Sequence, residues 1–320
     1  MTDRHAPRRD RKEAVVIVNP AAHNVPSPKR LQEAADWLQA EGWDVEWQRT
    51  EAPGQAMAMA AAAAARGVPI VFACGGDGTL NEVVNGLAGS DTALALIPAG
   101  TVNLWARELR IHKKKPLDAV RLAIGGDLRR VDLGRAGSRY FLCVASYGID
   151  AAVTAGVAHP IKARFGAIAY ALASLRVALR YRGTPVTIRV NGEELSGDTL
   201  MVIAGNARQY AGLTQIVPEA IVDDGMLDFC IFLGRGKAAV VRHALRALFR
   251  LHRLSRKVLY RRAERMTLSW QAPLPLQIDG DFVPESPAEI TVAKGALWAV
   301  IPAGARTAIF SDESALQPKS

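Results

Sequence analysis

The turn at residues 75–79 constrains the fold of this 320-residue chain more than any other stretch. It reads Gly75-Gly76-Asp77-Gly78-Thr79, with the apolar run Val71–Cys74 before it and the helical pattern Leu80–Leu87 after it. A strand, a glycine-rich turn and a helix N-terminus together present backbone N–H groups and a partial positive charge to an anion. The sequence therefore predicts a phosphate-binding turn at the end of a buried strand.

Asp77 indicates that a metal accompanies the phosphates. A carboxylate inside an anion site is unfavourable unless a cation, most simply Mg²⁺, lies between the two. A Walker loop is excluded because no lysine follows these glycines, and a dinucleotide fingerprint is excluded because Asn81 stands where its third glycine would be. A nucleotide–metal site is the favoured interpretation, and a connection whose glycines only allow tight packing is the alternative.

Strand and helix patterns alternate in the first part of the chain and predict a mainly parallel sheet with helices on both faces. Ligands of such sheets bind at the carboxyl ends of the strands. After about residue 128, short alternating segments separated by Gly, Pro and Asp predict a β-rich second domain. We expect an α/β domain at residues 14–130, a β-rich domain at 131–304, and disordered tails at 1–13 and 305–320.

The net charge of +9 comes from one region of the sequence. Residues 235–262 contain ten Lys or Arg and no Asp or Glu, which leaves 30 basic and 31 acidic residues elsewhere. Over Lys237–Arg262, basic and apolar residues recur every three or four positions and predict one amphipathic helix, which either lies on an anionic membrane or packs with a solvated basic face. Nucleic acid is disfavoured, since few aromatic residues interleave with the charges. A second basic helix is predicted at Ile161–Tyr181.

Apolar stretches are too short to cross a bilayer, and the charged first residues do not resemble a secretory signal. The three cysteines, Cys74, Cys143 and Cys230, lie far apart in apolar runs, which is typical of buried reduced thiols. We therefore expect a cytoplasmic protein without a transmembrane segment.

Four segments resemble the diacylglycerol kinase catalytic-domain family of bacterial lipid kinases, which is related to sphingosine and ceramide kinases. The glycine turn and its helix, Gly75–Leu87, carry the family signature. The other segments are Asn19-Pro20, Pro98–Arg107 and Pro218–Asp228. The likeness extends from residue 15 to about residue 302.

The resemblance implies a doubly wound α/β nucleotide domain, a C-terminal β-sandwich domain and an active site in the cleft between them. It implies a second, structural cation held by Asp224 and the backbone carbonyls of Ile221 and Met226. The catalytic base would be Asp281, in Asp279-Gly280-Asp281, where the family has the longer glutamate. Asp77 would serve the catalytic Mg²⁺. The residues implied to hold ATP are Asn19, Thr50, Gly75, Gly76, Asp77, Gly78, Thr79, Asn81 and Thr101.

The implied activity is ATP- and Mg²⁺-dependent phosphorylation of a hydroxyl on a diacylglycerol-like or sphingoid lipid. The lipid would be reached at an anionic membrane surface, so peripheral association with the inner face of the membrane is expected. Two other functions stay open: a kinase of a soluble alcohol, since NAD kinases share the Gly-Gly-Asp-Gly-Thr turn, and a nucleotide-binding regulator without catalysis. A homodimer also stays open.

Overall fold

The protein forms two compact units, each discontinuous in sequence. The first comprises the described residues up to Leu133, Ile221–Gly225, and those from Ala293 onward. The second comprises the described residues of Gly134–Ala220 and Met226–Val292. The boundaries expected above, 14–130 and 131–304, instead divide the chain into contiguous domains. The computed structural model describes residues 11–111, 115–156, 176–178, 180–210, 214–249, 251–302, 305 and 308–311.

The first unit is the α/β domain that the sequence predicts. Its first four strands are β1 (Glu13–Val18), β2 (Asp44–Arg49), β3 (Ile70–Gly75) and β4 (Ala93–Pro98). They form a parallel sheet in the order β2-β1-β3-β4, followed by the C-terminal strand, in which Trp298 pairs with Ala93. The helices are α1 (Pro28–Ala40), α2 (Gln55–Ala65), α3 (Asp77–Leu87), α4 (Leu104–Glu108) and α5 (Pro116–Ile124).

The order of these strands creates a switch point between β1 and β3. The strands β1, β3 and β4 are buried almost throughout, as their continuous apolar sequences require, whereas β2 is partly exposed at the sheet edge. From β1 the chain moves outward to β2 and then returns to the other side of β1 to form β3. Parallel sheets of this kind open a crevice at the carboxyl ends of the two strands where the direction reverses.

Helices α2 and α3 pack closely because α2 is rich in alanine and α3 contains Gly86. A Cβ atom on Gly86 would lie 2.4 Å from the carbonyl oxygen of Met57. The carboxylate of Glu82 on α3 accepts hydrogen bonds from the backbone N–H groups of Gly54 (2.8 Å) and Ala56 (3.0 Å) at the start of α2. Glu82 on α3 therefore caps the N-terminus of α2, and Gly86 allows the two helices to pack closely.

The second unit is built from antiparallel strand pairs, in agreement with the predicted β-rich domain. The strands outside the first four are β5 (Asp127–Ala136), β6 (Arg139–Phe141), β7 (Val144–Gly148), β8 (Thr184–Val190), β9 (Glu193–Gly205), β10 (Gln209–Tyr210), β11 (Thr214–Gln215), β12 (Leu227–Leu233), β13 (Val258–Ala263), β14 (Arg265–Trp270), β15 (Leu276–Ile278), β16 (Asp281–Val283) and β17 (Glu289–Ile301). The strands of the second unit follow the order β16-β15-β7-β9-β8-β14, and β12 pairs with both β9 and β13. Alternate residues of β8, such as Val186, Ile188 and Val190, belong to the core of this unit. The described helices of this unit are α6 (Ile149–Gly156) and α7 (Gly236–Leu248), with a 3₁₀ turn at His252–Leu254.

The prediction of a single basic helix over Lys237–Arg262 is wrong beyond Leu248. Helix α7 ends there, the 3₁₀ turn follows, and Val258–Ala263 forms β13, which pairs antiparallel with β12. The physical reason is tertiary: β12 offers a strand edge that satisfies the backbone of residues 258–263, so Lys257 and Arg261 do not continue the basic stripe of the helix. The other basic helix, predicted at Ile161–Tyr181, falls mostly outside the described residues.

The chain ends differ in part from the expected disorder. Glu13 already belongs to β1, while Ile309 and Phe310 are buried. The carbonyl oxygen of Ile309 accepts a hydrogen bond from the N–H of Val222 at 2.8 Å. Residues 1–10 and 312–320 lie outside the described residues.

The predicted buried, unpaired cysteines are confirmed for Cys74, Cys143 and Cys230. Burial raises the pKa of both Cys74 and Cys230 to about 12, so their thiols stay protonated at neutral pH. No helix in the described part of the chain is long and apolar enough to cross a bilayer.

Replacing Gly86→Ala is expected to lower the free energy of unfolding by about 1 to 3 kcal/mol, because the new methyl group collides with the backbone of α2. Urea denaturation followed by circular dichroism measures this. The matched control is Gly125→Ala, whose Cβ would come no closer than 3.5 Å to a neighbour. Equal stability of the two variants would show that α2 and α3 are not held in tight contact.

Candidate functional site

The carboxylate of Asp77 ties the turn after β3 to the loop after β4. Its Oδ2 accepts a hydrogen bond from the backbone N–H of Asn103 (2.9 Å), and its Oδ1 accepts one from the N–H of Leu104 (2.6 Å). These are the first N–H groups of α4, which have no partner within their own helix. Sequence reasoning did not foresee this structural role. A carboxylate offers about four lone-pair positions, so these hydrogen bonds do not exclude a cation.

Asn103 shapes the loop that Asp77 holds. Its backbone is left-handed (φ 53°), a conformation that asparagine tolerates better than most residues. Its side chain accepts a hydrogen bond from the N–H of Gly100 (2.9 Å) and donates one to the carbonyl oxygen of Gly100 (2.8 Å), which also accepts one from Asn24. A Cβ atom on Gly100 would lie 2.5 Å from the Cα of Gly76. The two turns therefore touch through their backbones, and glycine is required for that contact.

Asn19 and Thr79 meet across the switch point between β1 and β3. The Nδ2 of Asn19 donates a hydrogen bond to the Oγ1 of Thr79 at 2.8 Å, and its Oδ1 accepts one from the N–H of Ala21. The side chain of Thr79 lies against Gly75, where a Cβ atom would approach within 2.5 Å of it. Two predicted nucleotide-binding residues on different elements are thus brought into contact.

The remaining predicted nucleotide-binding residues lie on the same unit. Thr50 is buried at the carboxyl end of β2, where its N–H donates to the carbonyl oxygen of Val18 at 3.0 Å. Asn81 lies on α3, with its Oδ1 accepting a hydrogen bond from Asn85 at 3.2 Å. Thr101 is exposed in the loop after β4. The strand-end residues follow the edge at which parallel sheets bind ligands, and their contact with ATP stays a prediction.

Asp132 on β5 is an acidic residue that sequence reasoning missed. It is 3% exposed and accepts hydrogen bonds from the N–H groups of Gly225 and Gly295, both at 2.6 Å. Burial raises the pKa of Asp132, and the charges of Asp224 and Asp223 raise it further, whereas the two N–H donors oppose the rise. The only sequence signal was an aspartate between the apolar residues of a strand.

The segment from Ile221 to Met226 contains the predicted second cation site. Asp223 and Asp224 are partly buried, and Asp223 accepts a hydrogen bond from the N–H of Ser311 at 2.7 Å. Across the described ranges, no group of three or more His, Cys, Asp or Glu side chains could hold a metal ion. A cation at Asp224 would therefore depend on backbone carbonyls and water for most of its ligands, which suits Ca²⁺ or Mg²⁺.

Residues Asp279 and Gly280 form the two-residue loop of a hairpin between β15 and β16. Both have positive φ, 47° and 95°, as a type I′ turn requires, and Asp-Gly is a favoured sequence for this turn. The carboxylate of Asp279 is buried and accepts three backbone hydrogen bonds. The donors are the N–H groups of Leu142 (2.9 Å), Cys143 (3.0 Å) and Val144 (2.8 Å).

Asp281 is placed differently from Asp279. It is the first residue of β16, pairs with Ile278 and is exposed. The two aspartates of the Asp-Gly-Asp segment therefore differ in function within the fold: Asp279 fixes the connection between β6 and β7, and Asp281 is accessible to a ligand.

Gln277 is a second residue that sequence reasoning missed. It is 3% exposed, and its Nε2 lies 3.0 Å from both Ser146 Oγ and Asp150 Oδ2. Its Oε1 accepts a hydrogen bond from the N–H of Gly280 at 2.6 Å, so it supports the hairpin that carries Asp281. Tyr210 lies beside the same two residues, Ser146 and Asp150. Burial, together with the charge of Asp150, raises the pKa of Tyr210 well above its ordinary value. A glutamine between Leu276 and Ile278 was the available signal.

Asp77→Asn should loosen the loop after β4, because an amide has one acceptor atom where the carboxylate has two. We expect faster hydrogen exchange at the amides of Asn103 and Leu104 and a loss of about 1 to 3 kcal/mol in stability. Exchange followed by mass spectrometry measures the local effect. Asp91→Asn, at an exposed position of the same unit, is the matched control and should leave exchange unchanged.

Asp279→Asn should destabilise the second unit by about 1.5 to 3 kcal/mol, since a buried acceptor of three N–H groups is impaired. Asp281→Asn should leave the melting temperature unchanged. Thermal denaturation of both variants tests whether Asp279 holds the fold while Asp281 does not. Equal destabilisation of the two variants would contradict this difference.

Comparison with protein families gives matches to both parts of the chain. Residues 13–136 match the diacylglycerol kinase catalytic domain, and residues 143–301 match the YegS C-terminal NAD kinase beta sandwich-like domain. A diacylglycerol kinase of Bacillus subtilis (strain 168) is 30% identical over 273 residues, covering 85% of this chain and 90% of the relative. A diacylglycerol kinase of Staphylococcus saprophyticus is 30% identical over 275 residues, again covering 85% of this chain and 90% of the relative.

A solved structure shows the same fold. It is a crystal structure of a diacylglycerol kinase from Bacillus anthracis str. Sterne, with a TM-score of 0.74 and 24% sequence identity, covering 91% of this chain and 97% of that one. The α/β unit with its glycine turn, the β-sandwich-like unit and the sequence identity to the relatives all indicate the same family. The chain belongs to the diacylglycerol kinase family.

Proposed function

We propose that this family member transfers the γ-phosphoryl group of ATP to the hydroxyl of a membrane lipid, with Mg²⁺ as cofactor. The observation that carries the proposal is the joining of two strand-end turns by Asp77 at the ligand-binding edge of a parallel sheet. Family membership supports a lipid kinase, and the diacylglycerol or sphingoid identity of the acceptor is our inference.

The nucleotide would bind at the carboxyl ends of β1, β3 and β4. The N-terminus of α3, which begins at Asp77, offers backbone N–H groups and the positive end of the helix dipole to phosphate oxygens. Asn19, Thr79 and Thr101 would contribute polar side chains at the same edge. Thr50 and Asn81 would also contact the nucleotide. Because the Gly76–Gly100 contact and the Asn103 hydrogen bonds fix both turns, little ordering would be needed on binding.

The donor set around Asp77 fits Mg²⁺. Protein sites for this ion usually supply only one or two carboxylates, and the remaining ligands are water and substrate phosphate oxygens. When bound, Mg²⁺ neutralises negative charge on the phosphates. The hydrogen bonds from Asn103 and Leu104 would hold the Asp77 carboxylate in the orientation needed for it. We assign Asp224 and the carbonyls of Ile221 and Met226 to a second, structural cation.

Asp281 would be the catalytic base. In the transfer, the acceptor oxygen forms a bond to the γ-phosphorus, the bond from that phosphorus to the β,γ-bridging oxygen breaks, and ADP leaves. The hydroxyl proton would go to the Asp281 carboxylate. Exposure at the start of a short strand supports this role, because the side chain is accessible, while Gln277 and Asp279 hold the turn beside it. Gln277 is thus proposed as a positioning residue.

The proposal is tested with labelled ATP and four acceptors: micelles of diacylglycerol, micelles of sphingosine, a total lipid extract, and NAD in buffer. We expect label in a lipid product, dependent on Mg²⁺ and abolished by a chelator. Label only in NAD would show a soluble-alcohol kinase. ATP binding with no labelled product in any arm would show a non-catalytic regulator, and either result contradicts the proposed function.

Asp281→Asn should lower kcat by about 10² to 10⁴, the usual contribution of a general base, while ATP binding stays unchanged. Asp281→Glu restores an acid and should retain activity. The matched control is Glu285→Gln, which removes an exposed carboxylate four positions away and should leave kcat unaltered. Full activity in Asp281→Asn would refute the assignment of the base.

A further inference from the structure

One stretch of the second unit exposes an unusual amount of apolar surface. Eight large apolar side chains are exposed in the described part of the chain, and six of them lie between residues 241 and 254. Leu248, Phe249 and Leu254 have exposed fractions of 64%, 66% and 79%. We call the six side chains the apolar ridge: Val241, Leu245, Leu248, Phe249, Leu251 and Leu254.

The opposite face of this stretch is firmly attached to the unit. Ala239, Val240 and His243 on α7 are buried, and the Nε2 of His243 lies 2.9 Å from the carbonyl oxygen of Leu233. In the following 3₁₀ turn, His252 is 1% exposed, and its Nε2 lies 3.0 Å from a backbone carbonyl oxygen. The ridge is therefore the outward face of a fixed element.

Positive charge surrounds the ridge. Lys237 and Arg242 are exposed on α7 and Arg246 is half-buried there, while Arg256 and Lys257 are exposed just after the 3₁₀ turn. Arg253 is partly neutralised, since its guanidinium lies 2.5 Å from Glu219. The sequence has no Asp or Glu from residue 235 to 263, so no acidic residue on this stretch offsets the charge.

An anionic bilayer is the partner that satisfies both features. Its acyl boundary takes up apolar side chains, and its anionic headgroups attract the Lys and Arg beside them. A second copy of this chain would bring two positively charged faces together, which is unfavourable. A nucleic acid would neutralise the charges but leave the aliphatic side chains in water, because duplexes are bound mainly through their phosphates and single strands stack on aromatic side chains.

We propose that the apolar ridge and the cationic side chains around it form a docking surface for an anionic lipid bilayer. The surface belongs to the unit that also carries Asp281. The docking proposal is independent of which alcohol the enzyme phosphorylates, since docking needs neither ATP nor an acceptor.

Sedimentation of the full chain with lipid vesicles tests the proposal. The vesicles contain either phosphatidylcholine alone or phosphatidylcholine with phosphatidylglycerol, and neither ATP nor acceptor lipid is present. The wild-type chain should bind the anionic vesicles and lose affinity as salt is added. Leu248→Ser/Phe249→Ser should weaken binding by about tenfold or more, because it removes buried apolar area. Arg242→Gln/Arg246→Gln should weaken binding and reduce its salt dependence.

Met57→Ser is the matched control, since Met57 is an exposed apolar residue of the first unit (45%). It should bind as the wild type does. All replaced residues except Arg246 are exposed, and circular dichroism melting checks that each variant is folded. The proposal is overturned if wild type stays in solution with anionic vesicles, or if the ridge variant binds as tightly. It is also overturned if wild type is a dimer that the ridge variant dissociates.

Discussion

The carboxylate of Asp77 is the interaction on which the candidate site depends. By accepting hydrogen bonds from the N–H groups of Asn103 and Leu104, it joins the ends of β3 and β4 into one rigid surface. The glycines at 76 and 100 make this possible, because any Cβ on Gly100 would collide with the backbone of Gly76. A hydrogen bond to a charged acceptor is stronger than one to a neutral acceptor, so the half-buried Asp77 carboxylate holds these helix N-terminal N–H groups firmly. The Asp77 side chain therefore has a structural role in joining the two turns, apart from the Mg²⁺ binding that we propose for it.

The hairpin at Asp279-Gly280-Asp281 follows the same principle. Asp279 uses its carboxylate to satisfy three backbone N–H groups that would otherwise be buried without partners. Asp281 is therefore the accessible acid of the pair. Gln277 fixes the turn beside it by accepting a hydrogen bond from the N–H of Gly280. In both places a motif that suggests chemistry contains residues whose main contribution is to hold backbone segments together.

The basic stretch after residue 235 shows how tertiary structure changes the meaning of a pattern. Its periodicity predicts a long helix, and the structure contains that helix only up to Leu248. Beyond it, residues 258–263 complete a sheet by pairing with β12, which one-dimensional periodicity does not reveal. The change concentrates the exposed apolar residues in a short helix and the following turn instead of spreading them along an extended helix.

The sequence by itself determined the α/β and β-rich architecture, the glycine turn at a strand end and the family. These features arise from local patterns: hydrophobic periodicity, turn residues and short motifs whose meaning does not depend on distant contacts. Only the tertiary structure decided that Asp77 caps α4, that Glu82 caps α2, and that Asp132 and Gln277 are buried polar residues near predicted site residues. Asp77, Glu82 and Asp132 accept hydrogen bonds from backbone N–H groups many residues away, and Gln277 bonds the side chains of Ser146 and Asp150 on other elements. Such partners are identified only once the chain has folded.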